Sequence, residues 1–265
     1  MSFIFEALGV SLALLAGMLV LMEVGRRLGC ARREAHPDAR TQLGPVEGAL
    51  FGLLGLVMAL TFSGAATRYD ARRMVIAQEA NAIGTAYDRL DLLRPEEQPP
   101  LRDLCRRYLD ARIAYYREAP DTPAHQAQAR NVQQLLDRLW KETAAACDRD
   151  PRGQVSILVV PAVNELANIV TTRAMTSQLH PPGVIYAMLL VLASSGALVA
   201  GYASAEERNR SWLHHLGFAL IFSVTVYVVI DLEHPRLGFI RLQASDRVLE
   251  DLRTRIQGPG QVTAP

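Results

Sequence analysis

Several features that would assign the sequence to a common class are scarce or missing. Three cysteines in 265 residues are too few for a disulfide scaffold, and a net charge of +1 offers no basic surface to a nucleic acid. Charged residues make up only 21% of the chain while 50% are hydrophobic, a balance that excludes a disordered tail and a collagen. We therefore expect an ordered protein that does not bind nucleic acid.

Catalytic motifs are also missing from the sequence. It contains no G-x-S-x-G, no G-x-x-x-x-G-K-[ST], no H-E-x-x-H and no C-x-x-C pattern. The one adjacent histidine pair, His214 and His215, would point about 100° apart on a helix, which is a poor arrangement for two ligands of one metal ion. We therefore predict that the chain is not an enzyme and needs neither a cofactor nor a metal.

Charge is absent from four long stretches, and this absence is the strongest signal in the sequence. A helix needs about 20 mostly apolar residues to cross the hydrocarbon core, and backbone in lipid must satisfy its own hydrogen bonds. We therefore predict an all-α integral membrane protein with four transmembrane helices. The charge-free stretches are Ala7–Met22, Gly48–Thr67, Gly183–Ala205 and Ser211–Ile230.

The spans divide the chain into four parts. Residues 1–67 hold spans 1 and 2 with a short arginine-rich loop, 68–182 form a helical extramembrane domain inserted between spans 2 and 3, 183–232 hold spans 3 and 4, and 233–265 form a C-terminal tail. The short loops carry five and two arginines against three in the tail, and positive loops stay in the cytoplasm. We therefore predict a bacterial inner-membrane protein whose termini and 68–182 domain are periplasmic.

The second span carries a regular pattern of small residues. Counting alternately four and three residues from Gly48 to Leu90 gives a row of positions that is almost free of charge. No proline interrupts this stretch before Arg94-Pro95. A helix from Pro45 to Leu93 would be about 70 Å long and would continue beyond the bilayer. The pattern fits a helix packed within one subunit, or one lining a symmetric oligomer axis. Its membrane positions are Gly48, Gly52, Gly55, Ala59, Phe62 and Ala66.

The 68–182 domain is predicted to be helical throughout. Apolar residues recur at helical spacing in three stretches, 101–116, 132–140 and 155–175, of which the last contains Pro161. Cys105 and Cys147 both fall in this domain. They fit a disulfide in an oxidising compartment or two thiols packed as small hydrophobic side chains, and the sequence leaves both open.

Ionisable residues beside the spans are the candidate polar sites. Glu79 and Asn81 follow the second span, and they either solvate the helix, bond to a neighbouring helix or ring an oligomer axis. Arg173 is a candidate partner for Glu79 across the domain.

A second set of ionisable residues lies at the end of the fourth span. Asp231, Glu233 and Arg236 fit an internal ion pair, such as Asp231 with Arg236, or a charged vestibule for ions.

Four blocks of the sequence resemble one family. They are GLLGLVMALTFSGAATRYDARRMVIAQEANAIGTAYDRLDLL (52–93), LVVPAVNELANIVTTR (158–173), HPP (180–182) and DLEHPRLGFIRL (231–242). In this order they resemble the bestrophin-like family of bacterial and plant membrane proteins. The resemblance implies an oligomer distantly related to bestrophin anion channels. Bestrophins, however, place their soluble helices and termini in the cytoplasm, which is the reverse of the orientation that the arginine count predicts here.

Two functions follow from these observations. The first is a homo-oligomeric channel for small inorganic ions, with its pore along the second helix. The alternative is a non-conducting membrane scaffold or envelope sensor whose helical domain binds a partner. In both, the lipid bilayer is the solvent of the four spans.

Overall fold

The computed structural model describes residues 2–35, 44–118, 122–206, 212–234, 237–240 and 243–257. Over these ranges the chain is helical and contains no strand. Short 3-10 turns occupy Leu90–Leu92 and Ser204–Glu206. The α-helices are α1 (Ser2–Ala35), α2 (Gly44–Arg89), α3 (Gln98–Arg117), α4 (Pro123–Asp148), α5 (Gln154–Gln178), α6 (Gly183–Ala203), α7 (Trp212–Glu233) and α8 (Gln243–Gln257).

Four helical segments are long and apolar enough to cross a membrane. They are Phe3–Ala35, Gly48–Leu92, Gln154–Ala203 and Trp212–Glu233, and each contains one of the charge-free stretches in whole or nearly so. The chain forms two compact units: the first comprises 1–69 and 180–241, the second 70–179 and 242–265. Helix α2 contributes to both, with residues 44–69 in the first unit and 70–89 in the second.

In the first unit, α1 and α6 approach each other closely through glycines. A β-carbon at Gly201 would lie 1.9 Å from the Met22 carbonyl oxygen, and one at Gly25 would lie 2.1 Å from that of Leu198. No side chain larger than hydrogen fits at such distances. Because apolar bulk gains little over lipid tails, close backbone approach is the usual basis of helix packing in membranes. The regular pattern of small residues in the sequence pointed to α2 for such a contact.

The second unit has a core of its own. Helices α2 to α5 and α8 contribute buried apolar side chains to it, and Ile83, Tyr108, Leu139 and Leu166 are among those that are fully enclosed. Helix α2 ends at Arg89, six residues before Pro95 and near the stop that the sequence predicts, and α5 continues through Pro161.

Helix α8 corrects the description of residues 233–265 as a tail. It is amphipathic, and its Leu249, Leu252 and Ile256 lie in the core of the second unit. The last turn of α8 is also held by two side-chain hydrogen bonds. Tyr87 Oη donates to the Ile256 carbonyl over 3.2 Å and Arg106 Nε donates to the same oxygen over 3.0 Å.

Cys105 and Cys147 are free thiols buried in the core of the second unit. Burial raises the pKa of the Cys105 thiol to about 12, because the thiolate would lose its hydration there. Of the two possibilities left open by the sequence, the structure therefore has the packed thiols.

The connection from α4 to α5 is fixed by a buried carboxylate. Asp150 accepts a hydrogen bond from the Arg152 backbone N–H over 2.9 Å. It also forms an ion pair with the Arg152 guanidinium over 2.7 Å. These hydrogen bonds favour the charged carboxylate and lower the pKa of Asp150 to about 2.

Candidate functional site

The face of α2 that carries the small residues is not used for packing within the first unit. A β-carbon at Gly48, Gly52 or Gly55 would meet no atom of the described residues within 4 Å. Ala59 and Phe62 are exposed. Ala66, the last membrane position of the pattern, is half-buried.

A neighbouring face of α2 does the packing instead. Leu54, Met58, Thr61 and Ala65 are buried, and Leu54 and Met58 join the hydrophobic cluster of the first unit. The helix therefore presents its glycine face outward, away from its own chain.

In the second unit the same pattern behaves differently. Ile76, Ala80 and Ile83 continue the repeat of the glycines, yet they are buried inside the chain. A straight α-helix drifts about 20° per heptad from a 3.5-residue repeat, hence about 120° over roughly six heptads from Gly48 to Leu90. The repeat therefore faces outward in residues 48–66 and packs within the chain from Ile76 to Ile83.

A groove opens beside this face, between α2, α6 and α7 of the first unit. Its volume is about 1000 Å³. Buried Leu54, Met58 and Phe222 form its floor, while exposed residues of α2 and α7 form its rims. Near the start of α7 the lining becomes polar, with Ser204, His214 and His215.

The end of α7 holds two buried carboxylates that are bonded within the first unit. Arg68 donates from Nε and Nη2 to Glu233 Oε1 over 2.8 and 2.6 Å. Asp231 accepts the backbone N–H groups of Phe239 and Ile240 over 2.9 and 2.7 Å and so fixes the turn after the helix. The expected partner of Asp231, Arg236, lies outside the described residues.

These carboxylates do not form an open vestibule. Asp231 is 1% and Glu233 2% exposed. His180 Nδ1 lies 3.5 Å from Glu233 Oε2, and its ring stacks on that of His234 with centroids 5.4 Å apart. The HPP and DLEH blocks of the sequence thus meet at one packed site. Among the described residues, no group of three or more His, Cys, Asp or Glu is placed to hold a metal ion.

Glu79 is the centre of a buried polar node in the second unit. It is fully buried and forms ion pairs with Arg112 of α3 and Arg173 of α5. Tyr116 donates to Glu79 Oε2 over 3.0 Å, and the Arg173 guanidinium carbon lies 3.5 Å from the Tyr116 ring centroid. The Glu79–Arg173 pair that the sequence suggested is therefore one side of a larger node that joins three helices.

The electrostatics of the node keep its hydrogen-bonding pattern fixed. Burial alone would lower the pKa of Arg112, but Glu79 outweighs it and raises that pKa above its usual value. Burial and the Glu79 carboxylate raise the pKa of the Tyr116 hydroxyl well above its usual value. Tyr116 thus remains a hydrogen-bond donor, and Arg112 remains charged.

The node corrects one expectation and extends another. Glu79 lies inside its own chain and cannot ring an oligomer axis, whereas Asn81, two residues on, is exposed. Neither Arg112 nor Tyr116 was predicted from the sequence. A signal was present, because Arg112 lies four residues after Tyr108 on the buried stripe of α3, where a charge needs a buried partner.

An all-helical chain with four membrane-spanning helices and a second helical unit is a multi-pass integral membrane protein. The Bestrophin-like domain matches residues 4–246, and the chain therefore belongs to the bestrophin-like family. No curated protein that we compared matches the chain.

Solved structures share its fold at low sequence identity. A crystal structure of a bacterial bestrophin homolog from Klebsiella pneumoniae with a point mutation is 14% identical, with a TM-score of 0.68 over 92% of this chain and 99% of that chain. Another mutant of that homolog is 13% identical, with a TM-score of 0.64 over 91% and 97% of the two chains. A crystal structure described as a membrane protein is 12% identical, with a TM-score of 0.66 over 92% and 98%.

Proposed function

We propose that this chain assembles with copies of itself in a bacterial inner membrane and conducts small inorganic ions along the outward face of α2. One observation carries the proposal: Gly48, Gly52 and Gly55 form a row of small residues, and a β-carbon at any of them would meet no described atom of another part of the chain within 4 Å. Small residues at such a face let helices of different subunits approach closely in lipid. The same face is available to line a pathway between copies.

The family supports ion conduction as the activity. The resemblance to bestrophin anion channels favours anions, and solved structures of the same fold include a protein called a bestrophin homolog. Phe62 is the largest side chain on the outward face, between Ala59 and Ala66. We expect it to set the narrowest point of the pathway.

The arrangement across the membrane is part of the proposal. The last turns of α1 carry Arg26, Arg27, Arg32 and Arg33. Because basic residues beside a span are retained in the cytoplasm, this end of the first unit is proposed to face the cytoplasm and both termini the periplasm. Reporter fusions at the C-terminus test this: alkaline phosphatase should be active and a cytoplasmic fluorescent protein dark. The opposite pattern would reverse the orientation.

The function is tested by mass and flux measurements on the full-length protein. Native mass spectrometry in detergent should give a multiple of the subunit mass, and liposomes containing the protein should pass ions under a salt gradient. Two arms, one with an impermeant cation and one with an impermeant anion, identify the charge that crosses. A monomer, or an oligomer without flux in either arm, would refute the channel.

Substitutions test the role of α2. Gly52→Leu and Gly55→Leu should reduce oligomer formation, whereas Gly217→Leu on α7 is the matched control, because no described atom lies within 4 Å of its β-carbon position either. Phe62→Ala should raise the flux per protein. If Gly52→Leu and Gly217→Leu behave alike, the outward face of α2 is not the subunit contact.

A second candidate is favoured by the surface of the second unit. Ile157 and Leu158 of α5 are 70% and 48% exposed, and neighbouring exposed apolar side chains are typical of partner surfaces. Two results together would support a scaffold or sensor in place of a channel. The oligomer would pass no ions, and the Ile157→Asp variant would lose a protein that co-purifies with the wild type.

A further inference from the structure

Helix α2 carries its glycine row, Gly48, Gly52 and Gly55, between two unlike flanks. Because each residue of a helix turns it by about 100°, these three glycines lie within about 60° of one another. On the same count Phe62 and Met58 lie about 40° and 80° to one side of Gly48. Both side chains line the groove, so the groove opens along this flank of the row.

The other flank of the row carries exposed leucines. Leu53, Leu56 and Leu60 are 49%, 57% and 65% exposed. Their spacing of about three to four residues places them on one face, about 80° to 140° from Gly48 on the side opposite to the groove. We call these three residues the leucine edge. Helix α2 thus has a recess on one side of its glycines and a projecting edge on the other.

The leucine edge and the groove lie at the same depth in the first unit. The α2 lining of the groove runs from Phe51 to Phe62, a rise of about 16 Å, and the leucine edge covers about 10 Å within it. The exposed apolar side chains of α6 lie elsewhere along that helix. The last of them, Val191, precedes Ala200, where α6 joins the groove lining, by about 13 Å.

Depth decides which surfaces can meet in a symmetric assembly. Copies that are inserted in one direction into one membrane form a ring by rotation about an axis along the membrane normal. Such a rotation preserves depth, and the contact between neighbours is heterologous, so that one flank of a copy meets the other flank of the next. With the glycine row facing the axis, the flanks that meet are the groove and the leucine edge.

We propose that the leucine edge of one copy packs into the groove of the next copy and that this contact closes the assembly into a ring. This inference rests on the proposed function, because it takes the glycine row as the face toward the axis. Packing of side chains into a recess is what holds helices together in lipid, where apolar burial alone gains little. Because the inserting and the receiving surfaces differ, the contact allows more than two copies.

Oxidative cross-linking in membranes tests this contact. In a Cys30→Ser background the remaining thiols are buried. Leu56→Cys places a thiol on the leucine edge, and Ile221→Cys places one in the α7 lining of the groove. Copper phenanthroline should convert the variant with both substitutions into covalent dimers, trimers and larger multimers on a non-reducing gel, because every copy presents both thiols. Each single variant should remain at the position of the monomer.

The depth of Ile221 follows from a ring contact. Phe218 of α7 meets Phe51 of α2 with ring centroids 5.0 Å apart, and spans 2 and 4 cross the membrane in the same direction. Ile221, one turn beyond Phe218, is therefore level with the leucine edge. Leu220→Cys is the matched control, because Leu220 is exposed beside Ile221 but does not line the groove. Combined with Leu56→Cys, it should give little multimer.

Two results would overturn the proposal. The first is an absence of covalent multimers in the double variant while native mass spectrometry of the same variant gives an oligomer, which would leave the groove to lipid or to another surface. The second is dimer formation by Leu56→Cys alone, which would mean that two leucine edges meet across a two-fold axis. Neither result refutes ion conduction, whereas a monomer in native mass spectrometry would refute the proposed assembly as well.

Discussion

Replacing Glu79 by glutamine tests the buried node of the second unit most directly. The side chain of Glu79 is fully enclosed, and those of Arg112 and Arg173 are 5% and 11% exposed. Glu79→Gln keeps the shape of the side chain but removes the charge that balances the two guanidinium groups. The expected result is a large loss of stability with no change in the fold.

The magnitude follows from the burial. Removing one partner of a buried ion pair costs about 3 to 5 kcal/mol, because the other charge is left without compensation. The glutamine carbonyl still accepts one hydrogen bond, which favours the lower end of that range. A loss of about 3 kcal/mol corresponds to a fall in melting temperature of about 6 to 12 °C for a domain of this size. Glu79→Asp keeps the charge at a shorter reach and should lose less.

The two tryptophans give a signal for each unit. Trp140 lies on α4 in the second unit and Trp212 on α7 in the first. In a Trp212→Phe background, tryptophan fluorescence during heating of the detergent-solubilised protein reports the second unit alone. The expected fall in melting temperature should appear in this signal.

The matched control applies the same chemical change to an exposed pair. Glu142 accepts an ion pair from Arg138 over 2.6 Å on the surface of α4. Glu142→Gln should have little effect, because exposed pairs are screened by water. If Glu79→Gln and Glu142→Gln shift the melting temperature equally, the assignment of the node as the main polar support of this unit is refuted.

Three further predictions follow from the geometry. Gly201→Ala should destabilise the protein by about 1 to 3 kcal/mol in thermal unfolding because the new methyl group meets the α1 backbone, whereas Gly217→Ala should not; equal effects would contradict the close contact. Maleimide at pH 8 should label Cys30 in the native protein and leave Cys105 unlabelled, because Cys105 is buried and its pKa is raised to about 12; labelling of Cys105 at the rate of Cys30 would disagree with that burial. Asp150 has a lowered pKa, so its stabilisation is present above the unfolded-state pKa of about 3.9 and is lost as the pH falls toward about 2. Asp150→Asn should therefore lower the melting temperature at pH 6 but not near pH 2, and a pH-independent difference would contradict this account.

Much of the fold could be predicted from the sequence, because its signals are local. Four stretches without charge predicted the spans, and apolar spacing predicted the helices from 98 to 178. The length of α2 followed from the lack of a helix breaker before Pro95.

The candidate sites were less predictable, because spacing does not name the partner. A row of glycines indicates a close contact, yet the close approach within the chain is made by Gly25 and Gly201 and not by the row on α2. The sequence also named Arg173 for Glu79 but not Arg112, which joins from another helix. The drift of a straight helix from a 3.5-residue repeat explains why the repeat faces outward in residues 48–66 of α2 and is buried from Ile76 to Ile83.

The uninterrupted course of α2 through both units restricts how the gene can change. Each inserted residue turns every later side chain of a helix by about 100° and moves it by about 1.5 Å. A single insertion near Tyr69 would turn the buried face of everything up to Arg89 by about 100° and move Glu79 out of its buried position. An insertion of seven residues, by contrast, would nearly restore the phase. Evolution can therefore exchange side chains in this stretch far more freely than it can alter the number of codons.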